Sequence, residues 1–303
     1  MSPAPDRPLV GILLRVAGAT SFAVMSVALK LASEHGVTAP EMIFYRNFFA
    51  LPIVLGWALA GPGIGALRTS RPLAHLTRSG IGLVSMLFTF EALVLLPLAE
   101  ATTITFSAPI FATLLSALML RESIGRYRWA AVLVGFIGIV VIARPGETSG
   151  VVPLVGITVA LAAALGQALV AITLRQIGKT EQIAAIVFWF TVITSLAGAA
   201  MLPFFGKAHD NTAWLLLLLG GATGGAAQIL MTASLRHAAV SAVVPFDYMQ
   251  MLWAILFGWL VWSMAPSHST IAGALLVACA GIATAWREHR RRAGAPATQL
   301  MAE

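Results

Sequence analysis

The sequence predicts an all-α membrane protein in which ten transmembrane helices form two inverted five-helix repeats. Apolar residues make up 59% of its 303 residues, charged residues only 10%, and the mean hydropathy is +0.89. Soluble domains carry roughly a quarter charged residues. The apolar residues also fall into ten segments, five in each half of the chain. The composition therefore excludes an ordinary soluble domain.

Each apolar segment is close to the length of about 20 residues that a helix needs to cross a bilayer. The predicted spans are 9–31, 40–60, 73–96, 99–120, 127–143, 153–174, 182–205, 213–235, 240–263 and 269–286. The connections between them are short. The chain therefore has no room for a separate soluble catalytic domain.

Basic residues indicate how the helices are oriented. With the N-terminus inside, 14 of the 19 Lys and Arg residues lie on the cytoplasmic side, two (Arg144 and Lys207) lie opposite, and three fall within spans. This bias predicts a multi-pass protein of the bacterial cytoplasmic (inner) membrane with both termini cytoplasmic. Residues 1–8 form the N-terminal segment, and residues 288–303 form a basic, disordered tail. The net charge of +7 then reflects topology, and no nucleic-acid partner is expected.

The two halves of the chain look related. The sequence LVGI at residues 9–12 recurs at residues 154–157, and scattered identities recur 140 positions apart, such as Gly80 with Gly220. We therefore divide the chain into a first repeat, 9–145, and a second repeat, 150–287. Because each repeat has an odd number of spans, the second copy must enter the membrane upside down. Inverted repeats around a midplane site are a recurrent design of transporters.

Three sequence blocks carry a resemblance to a known family. They are FYRNFFALP (44–52), LPLAEATTITFSAPIFATLLSALMLRE (96–122) and GFIGIVVIARPG (135–146). The chain resembles the ten-helix EamA-type transporters of the drug/metabolite transporter superfamily over about residues 9–286. The second half departs from the pattern, with Val261-Trp262-Ser263 in place of LRE. The resemblance implies transport of amino acids, nucleotides or other metabolites, and the FYR block is similar to the branch with S-adenosylmethionine and riboflavin carriers.

Charged residues near the ends of spans have a simple interpretation. Lys30 and Glu41 lie at the outer ends of the first two spans, and Arg15 lies about six residues inside the first. Long side chains at such positions reach the interface while their stems stay in the apolar layer. We therefore interpret these three residues as interfacial.

Arg46 and Glu91 lie deeper in the membrane. Each is five or six residues from the outer end of its span, and the second and third spans are antiparallel neighbours. Charges at this depth need a partner or water. We expect Arg46 and Glu91 to pair or to share one polar cavity. Either they form a structural ion pair, or Arg46 holds an anionic group of a substrate and Glu91 a cationic group or a proton.

Asp247 begins a polar and aromatic stripe in the ninth span. Gln250, Trp253 and Phe257 follow at helical spacing, so one helix face would offer a carboxylate, an amide and two aromatic rings. This combination suits a metabolite with an ammonium or heteroaromatic part. Alternatively, Asp247 caps the backbone that Pro245 loosens.

Prolines and amides complete the predicted site. Pro109 and Pro245 lie in matching spans of the two repeats and would form hinges for gating. Gln167 and Gln228 lie far from the ends of their spans, where amides are expected to face a wet cavity that Tyr45 and Tyr248 would help to line. Gly220, Gly221, Gly224 and Gly225 give overlapping GxxxG spacings, which predict close helix contact. A monomer and a homodimer are both compatible with these spacings.

A secondary transporter of a small amino-acid-, nucleoside- or vitamin-like metabolite accounts for the repeat, the short connections and the buried polar stripes together. Alternatives are an integral-membrane enzyme or a membrane scaffold without a transport role. An enzyme is not expected, because the sequence has no DxxxD, HxxxD or HExxH motif, and it has no GxxxxGK[ST] motif for ATP. We expect no catalytic residues, no metal and no cofactor. Proton coupling through Glu91 or Asp247 and facilitated diffusion both remain open.

Overall fold

The computed structural model describes residues 8–120, 126–143, 153–178, 180–238 and 243–293. All its elements are helical. They are α1 (Pro8–Glu34), α2 (Ala39–Ala60), a 3-10 turn (Ile64–Leu67), α3 (Pro72–Leu95), α4 (Leu98–Thr105), α5 (Ala108–Leu120), α6 (Arg126–Ala143), α7 (Leu154–Ile177), α8 (Ile183–Phe205), α9 (Asn211–His237), a 3-10 helix (Val244–Tyr248), α10 (Met249–Trp262) and α11 (His268–Ala293).

Seven of the helices in the described ranges are long and apolar enough to cross a membrane, and α6 and α11 contain shorter apolar stretches, Trp129–Ile142 and His268–Ala283. Many large apolar side chains on the outer surface are exposed, among them Leu13, Leu196 and Leu215. Contiguous exposed apolar surface of this kind is suited to lipid. The prediction of an all-α protein with multiple membrane spans is confirmed.

The fourth and ninth predicted spans are not continuous α-helices. The fourth is divided into α4 and α5 at Phe106 and Ser107, and Pro109 lies in the first turn of α5. Proline has no N–H for the carbonyl of the residue four positions earlier, here Thr105, so a break at this point is expected. The described part of the ninth span contains the 3-10 helix around Pro245 and continues as α10. Residues 240–242 of that span lie outside the described residues.

Helices from the two halves pack against one another in pairs. Helix α1 contacts α9, α3 contacts α7, α2 contacts α8, and α6 contacts α11. Glycines in α9 permit its close approach to α1 and α2. A Cβ on Gly221 would lie 2.4 Å from Phe49 Cβ, and one on Gly220 would lie 2.9 Å from a methyl group of Leu29. The close contact predicted from the glycine spacing is therefore present.

One end of the bundle, which we call the Glu41 end, contains the end of α1 and the start of α2. Glu41 is fully buried and accepts hydrogen bonds from Thr38 N and Oγ1, both at 2.8 Å, and from Lys207 N at 2.8 Å, and it contacts His209 Nε2 at 2.7 Å. Lys30 Nζ donates to the carbonyls of Leu93 and Leu96 at 2.7 Å, which caps the end of α3. The interfacial interpretation of Lys30 and Glu41 is therefore wrong, since connecting segments cover both.

The opposite end, which we call the Glu181 end, is tied together by a second buried carboxylate. Ser70 donates to Glu181 Oε1 through its N at 3.2 Å and its Oγ at 3.0 Å, and His75 Nε2 lies 3.3 Å from Oε2. Burial raises the pKa of Glu181, but the hydrogen bonds from His75 and Ser70 outweigh it and hold the pKa below its ordinary value. The connection between α2 and α3 is thereby held to the connection between α7 and α8.

Candidate functional site

A cavity of about 460 Å³ lies between the two halves of the molecule. Its lining comes from α1 to α5, from α7 to α9, and from the 3-10 helix with α10. Among the described residues, α6 and α11 contribute nothing to the lining. Cavities of this size hold small organic ligands.

Arg46 supplies a buried positive charge to the cavity. It is 5% exposed. Its Nη1 donates to Asn47 Oδ1 at 2.9 Å and its Nη2 to Gln228 Oε1 at 3.2 Å, while Nε has no partner. A Cβ on Gly224 of α9 would lie only 3.0 Å from this Nε. The glycine therefore makes room for the guanidinium where α2 meets α9.

Arg15 and Asp247 form an ion pair between the two halves. Arg15 Nε and Nη2 donate to the two carboxylate oxygens of Asp247, and Nη1 donates to the carbonyl of Met231 at 3.3 Å. The two charged side chains are 11% and 20% exposed. The interfacial interpretation of Arg15 is wrong, because its guanidinium turns inward to a carboxylate. Two parallel hydrogen bonds make this the strong, geometrically defined form of the Arg–carboxylate interaction.

The remaining walls are amides, hydroxyls and aromatic rings. Gln167 Nε2 donates to Thr89 Oγ1 at 3.4 Å, and Gln228 and Gln250 also line the cavity. The aromatic lining residues are Phe22, Phe90, Phe106, Phe190 and Tyr248. Tyr248 packs on Phe106 with ring centroids 5.5 Å apart. The site can therefore hold a solute with both polar groups and a flat apolar body.

Seven of the predicted site residues lie together in this lining: Arg46, Pro109, Gln167, Gln228, Asp247, Tyr248 and Gln250. Four others do not line it: Tyr45, Glu91, Pro245 and Trp253. Tyr45 packs on Trp214, and Trp253 stacks on Phe257 with ring centroids 5.7 Å apart. The predicted stripe therefore reaches the cavity only at Asp247 and Gln250, and its two aromatic members pack on each other instead.

The expected pair of Arg46 and Glu91 does not form. Glu91 has no hydrogen bond or ion pair with Arg46, which binds Asn47 and Gln228 instead. Its neighbour Phe90 faces the cavity, and consecutive residues of an α-helix point about 100° apart. The expectation of a pair rested on depth along the helices and took no account of the direction around them.

Arg78 is a buried residue near the cavity that sequence reasoning missed. It is 6% exposed, its Nε and Nη1 have no partner, and its guanidinium lies 3.9 Å from the centroid of the Phe190 ring. The distribution of basic residues groups Arg78 with the cytoplasmic ones, although it lies within the predicted span 73–96. Its depth was the signal that could have identified it, since Arg within a span is rare and needs a partner.

The chain matches the EamA-like transporter family over residues 9–144 and again over residues 154–286. The chain belongs to the EamA-like transporter family. Its function is accordingly the transport of small metabolites across a membrane.

Curated members of the family are similar to this chain over most of its length. The pseudopaline exporter CntI of Pseudomonas aeruginosa is 29% identical over 90% of this chain and 95% of its own length. A riboflavin transporter of Rhizobium johnstonii is 29% identical over 95% of this chain and 94% of its own. An S-adenosylmethionine uptake transporter of Rickettsia prowazekii is 25% identical over 78% of this chain and 79% of its own.

A solved crystal structure has the same fold as this EamA-like transporter. The two align with a TM-score of 0.64 over 93% of this chain and 98% of that chain, at 21% sequence identity. At this level of identity the likeness concerns the fold alone.

Proposed function

We propose that this EamA-like transporter is a secondary transporter that moves a small organic metabolite by alternating access. Two inverted five-helix halves, close to residues 9–145 and 150–287, would rock against each other around the cavity. The observation that carries this proposal is that both halves line one cavity and are joined by the ion pair of Arg15 with the lining residue Asp247.

The pairing of the helices supports two inverted halves. If α4 with α5 counts as the fourth span and the 3-10 helix with α10 as the ninth, each span has a counterpart five positions later. The contact of α1 with α9 then becomes the contact of α7 with α3, while α2 with α8, α6 with α11 and α4 with α10 each map onto themselves. An inverted repeat related by a twofold axis in the membrane plane requires this exchange.

Contacts at both ends of α1 suggest how access would alternate. Near its start, Arg15 binds Asp247, and at its end Glu34 accepts a hydrogen bond from Trp262 Nε1. Both partners belong to the second half. Breaking one contact while keeping the other would open the cavity to one side of the membrane, with the segments around Pro109 and Pro245 as hinges. Asp247 would be free to bind a proton only while Arg15 is displaced, whereas Glu91 lies outside the cavity lining.

We place the transporter in the bacterial cytoplasmic membrane with both termini in the cytoplasm. The distribution of Lys and Arg supports this orientation, and the Arg15–Asp247 contact would then close the cytoplasmic side. The relatives named above are bacterial carriers of pseudopaline, riboflavin and S-adenosylmethionine. An amino-acid-, nucleoside- or vitamin-like cargo fits the amides and aromatic rings of the cavity.

Reconstitution into proteoliposomes tests the proposal. The purified chain is expected to give saturable uptake of at least one solute from a panel of amino acids, nucleosides and vitamins, and uptake should be lost in Arg46→Gln. Arg68→Gln, which removes a charge from the exposed connection before α3, is the matched control. Each solute is measured with and without a pH gradient, and uptake that ignores the gradient would exclude proton coupling. If no solute is taken up above protein-free liposomes, the transport proposal is wrong.

A further inference from the structure

Two buried arginines next to the cavity have no acidic partner. Arg46 and Arg78 are 5% and 6% exposed. Arg46 bonds to the neutral side-chain oxygens of Asn47 and Gln228 and leaves Nε unpaired. Arg78 leaves Nε and Nη1 unpaired and contacts the face of the Phe190 ring. Over the described part of the chain, no carboxylate lies within salt-bridge distance of either guanidinium.

Arg46 lies in the wall of the cavity, and Arg78 lies directly behind that wall. Arg78 lies behind Gly82 and Phe190, which both line the cavity, and a Cβ on Gly82 would stand 3.4 Å from Arg78 Nη1. The same Cβ would lie 2.7 Å from Cε2 of Phe190, so this ring covers the buried Nη1 on its way to the cavity.

The buried carboxylates are bound elsewhere. Asp247 is held by Arg15 and Glu41 by His209 and the backbone of Lys207. The other two among the described residues are Glu100, bound by Thr270, and Glu181, bound by His75 and Ser70. An arginine side chain cannot relieve its burial by losing its proton. Two unneutralised guanidinium groups in an apolar environment therefore raise the free energy of the folded protein unless an anion binds to them.

We propose that Arg46 and Arg78 form a binding site for the oxyanion of the transported metabolite. We call it the arginine site. It rests on the proposed function and narrows the substrate class to organic acids, whose carboxylate or phosphate group binds the two guanidinium groups while an apolar or aromatic body lies against Phe90, Phe106 and Phe190. The bidentate geometry of guanidinium suits both oxyanions.

The first test uses the stability of the full-length protein without ligand. Arg78→Met replaces the charged side chain by an apolar one of similar length, so the melting temperature in detergent should rise, because an unpaired buried charge is removed. A structural arginine would show the opposite change, and a fall in melting temperature would overturn the proposal. Arg68→Met is the matched control, and its melting temperature should stay that of the wild type.

The second test compares three probes that share one phenyl body: 3-phenylpropionate, 2-phenylethyl phosphate and the neutral 3-phenylpropionamide. At equal concentration, at least one oxyanion should raise the melting temperature of the wild type and the amide should not. The oxyanion that binds more tightly identifies the preferred group. Arg78→Met should weaken this binding about tenfold or more, which corresponds to the loss of one charge-assisted contact, and Arg78→Lys should retain part of it. Absence of any oxyanion preference in the wild type, or unchanged affinity in Arg78→Met, would overturn the arginine site.

The binding measurement does not depend on transport, so the two proposals can fail separately. An oxyanion preference in a protein that moves no solute into liposomes would keep the arginine site and remove the transport proposal. Uptake of a neutral solute at the wild-type rate by Arg78→Met would keep transport and remove the arginine site.

Discussion

At the scale of single residues, buried charged side chains have different roles in different parts of the bundle. Glu41, Glu181 and Lys30 have their hydrogen-bonding groups satisfied by connecting segments or helix ends. Arg15 and Asp247 neutralise each other across the two halves. Arg46 and Arg78 leave nitrogen atoms unpaired beside the cavity. An unsatisfied buried charge beside a cavity is the observation that points to ligand binding.

The buried carboxylate of Glu181 should make stability depend on pH. Its pKa in the folded protein is below the ordinary value of 4.5, so its contribution is complete above that pH and is lost as the pH falls through the lowered pKa. We expect Glu181→Gln to lower the free energy of unfolding by about 1–2 kcal/mol at pH 7. The difference from the wild type should narrow below pH 4.5. Thermal unfolding in detergent across this range checks it, and a difference independent of pH would contradict it.

The ion pair between Arg15 and Asp247 should respond to exchange of its charges. Arg15→Gln or Asp247→Asn alone leaves one charge without its partner, and each should lower the free energy of unfolding by about 3 kcal/mol. The double substitution Arg15→Asp with Asp247→Arg should recover part of that loss, because the charges still neutralise each other. Melting temperatures of the three variants decide the question. A double variant less stable than both single variants would argue against a direct pair.

At the scale of elements, helix packing depends on where side chains are absent. The closest approach in α9 occurs at Gly221 against Phe49 of α2, while Gly80 in α3 has nothing within 4 Å of a Cβ position. Small residues at such crossings let helices in membranes come close enough for dispersion contacts. The two glycines therefore offer a matched comparison.

Gly221→Ala is expected to lower the free energy of unfolding by about 2–3 kcal/mol, because the new methyl group forces α2 and α9 apart. Gly80→Ala should leave it unchanged or slightly raise it, since alanine is the better helix former. Melting temperatures in the same detergent compare the two. Equal effects of both substitutions would mean that the crossing at Gly221 is looser than the structure describes.

Elements and site could be predicted from the sequence to different extents. The apolar segments predicted the long helices to within a few residues, because length is a local property. Pro109 predicted a hinge in the fourth span, and the structure divides that span into α4 and α5 just before it. Distance from the end of a helix is also a local property, and from it we predicted that Arg46, Gln228 and Asp247 line one cavity. The angle around a helix depends on the neighbouring helices, so Glu91 and Trp253 were misplaced. The partners of Arg15 and Arg78 come from residues distant in the chain.

At the scale of the whole molecule, the helices that enclose the cavity differ from the pair that packs outside it. The cavity is enclosed by α1 to α5 and α7 to α10, whereas α6 and α11 pack mainly on each other and contribute no lining residue in the described part of the chain. The side chains of the first half that bind the second half, such as Arg15 and Glu34, lie near the two ends of α1. Relative motion of the halves would therefore alter contacts at the two ends of the bundle more than within each half.

The orientation of the molecule can be tested by labelling single cysteines. Cys279 is first replaced by Ala, and a cysteine is then placed at Lys207 or Arg68, both of which are exposed. A membrane-impermeant maleimide should label Lys207→Cys in intact cells and Arg68→Cys only after permeabilisation, because the excess of Lys and Arg stays in the cytoplasm. The reverse pattern would invert the proposed topology.

The two unneutralised guanidinium groups also carry charge that responds to the electric field across the membrane. Arg46 and Arg78 lie about 9–11 Å inside the starts of α2 and α3, at 1.5 Å per residue, and these two starts lie at opposite ends of the bundle. A unit charge that crosses the full potential changes in energy by about 2.3 kcal/mol per 100 mV. A bound oxyanion would cancel part of this charge. The conformational change of the empty transporter would then depend more strongly on voltage than that of the loaded one. The membrane potential would therefore favour one of the two conformations of the empty protein.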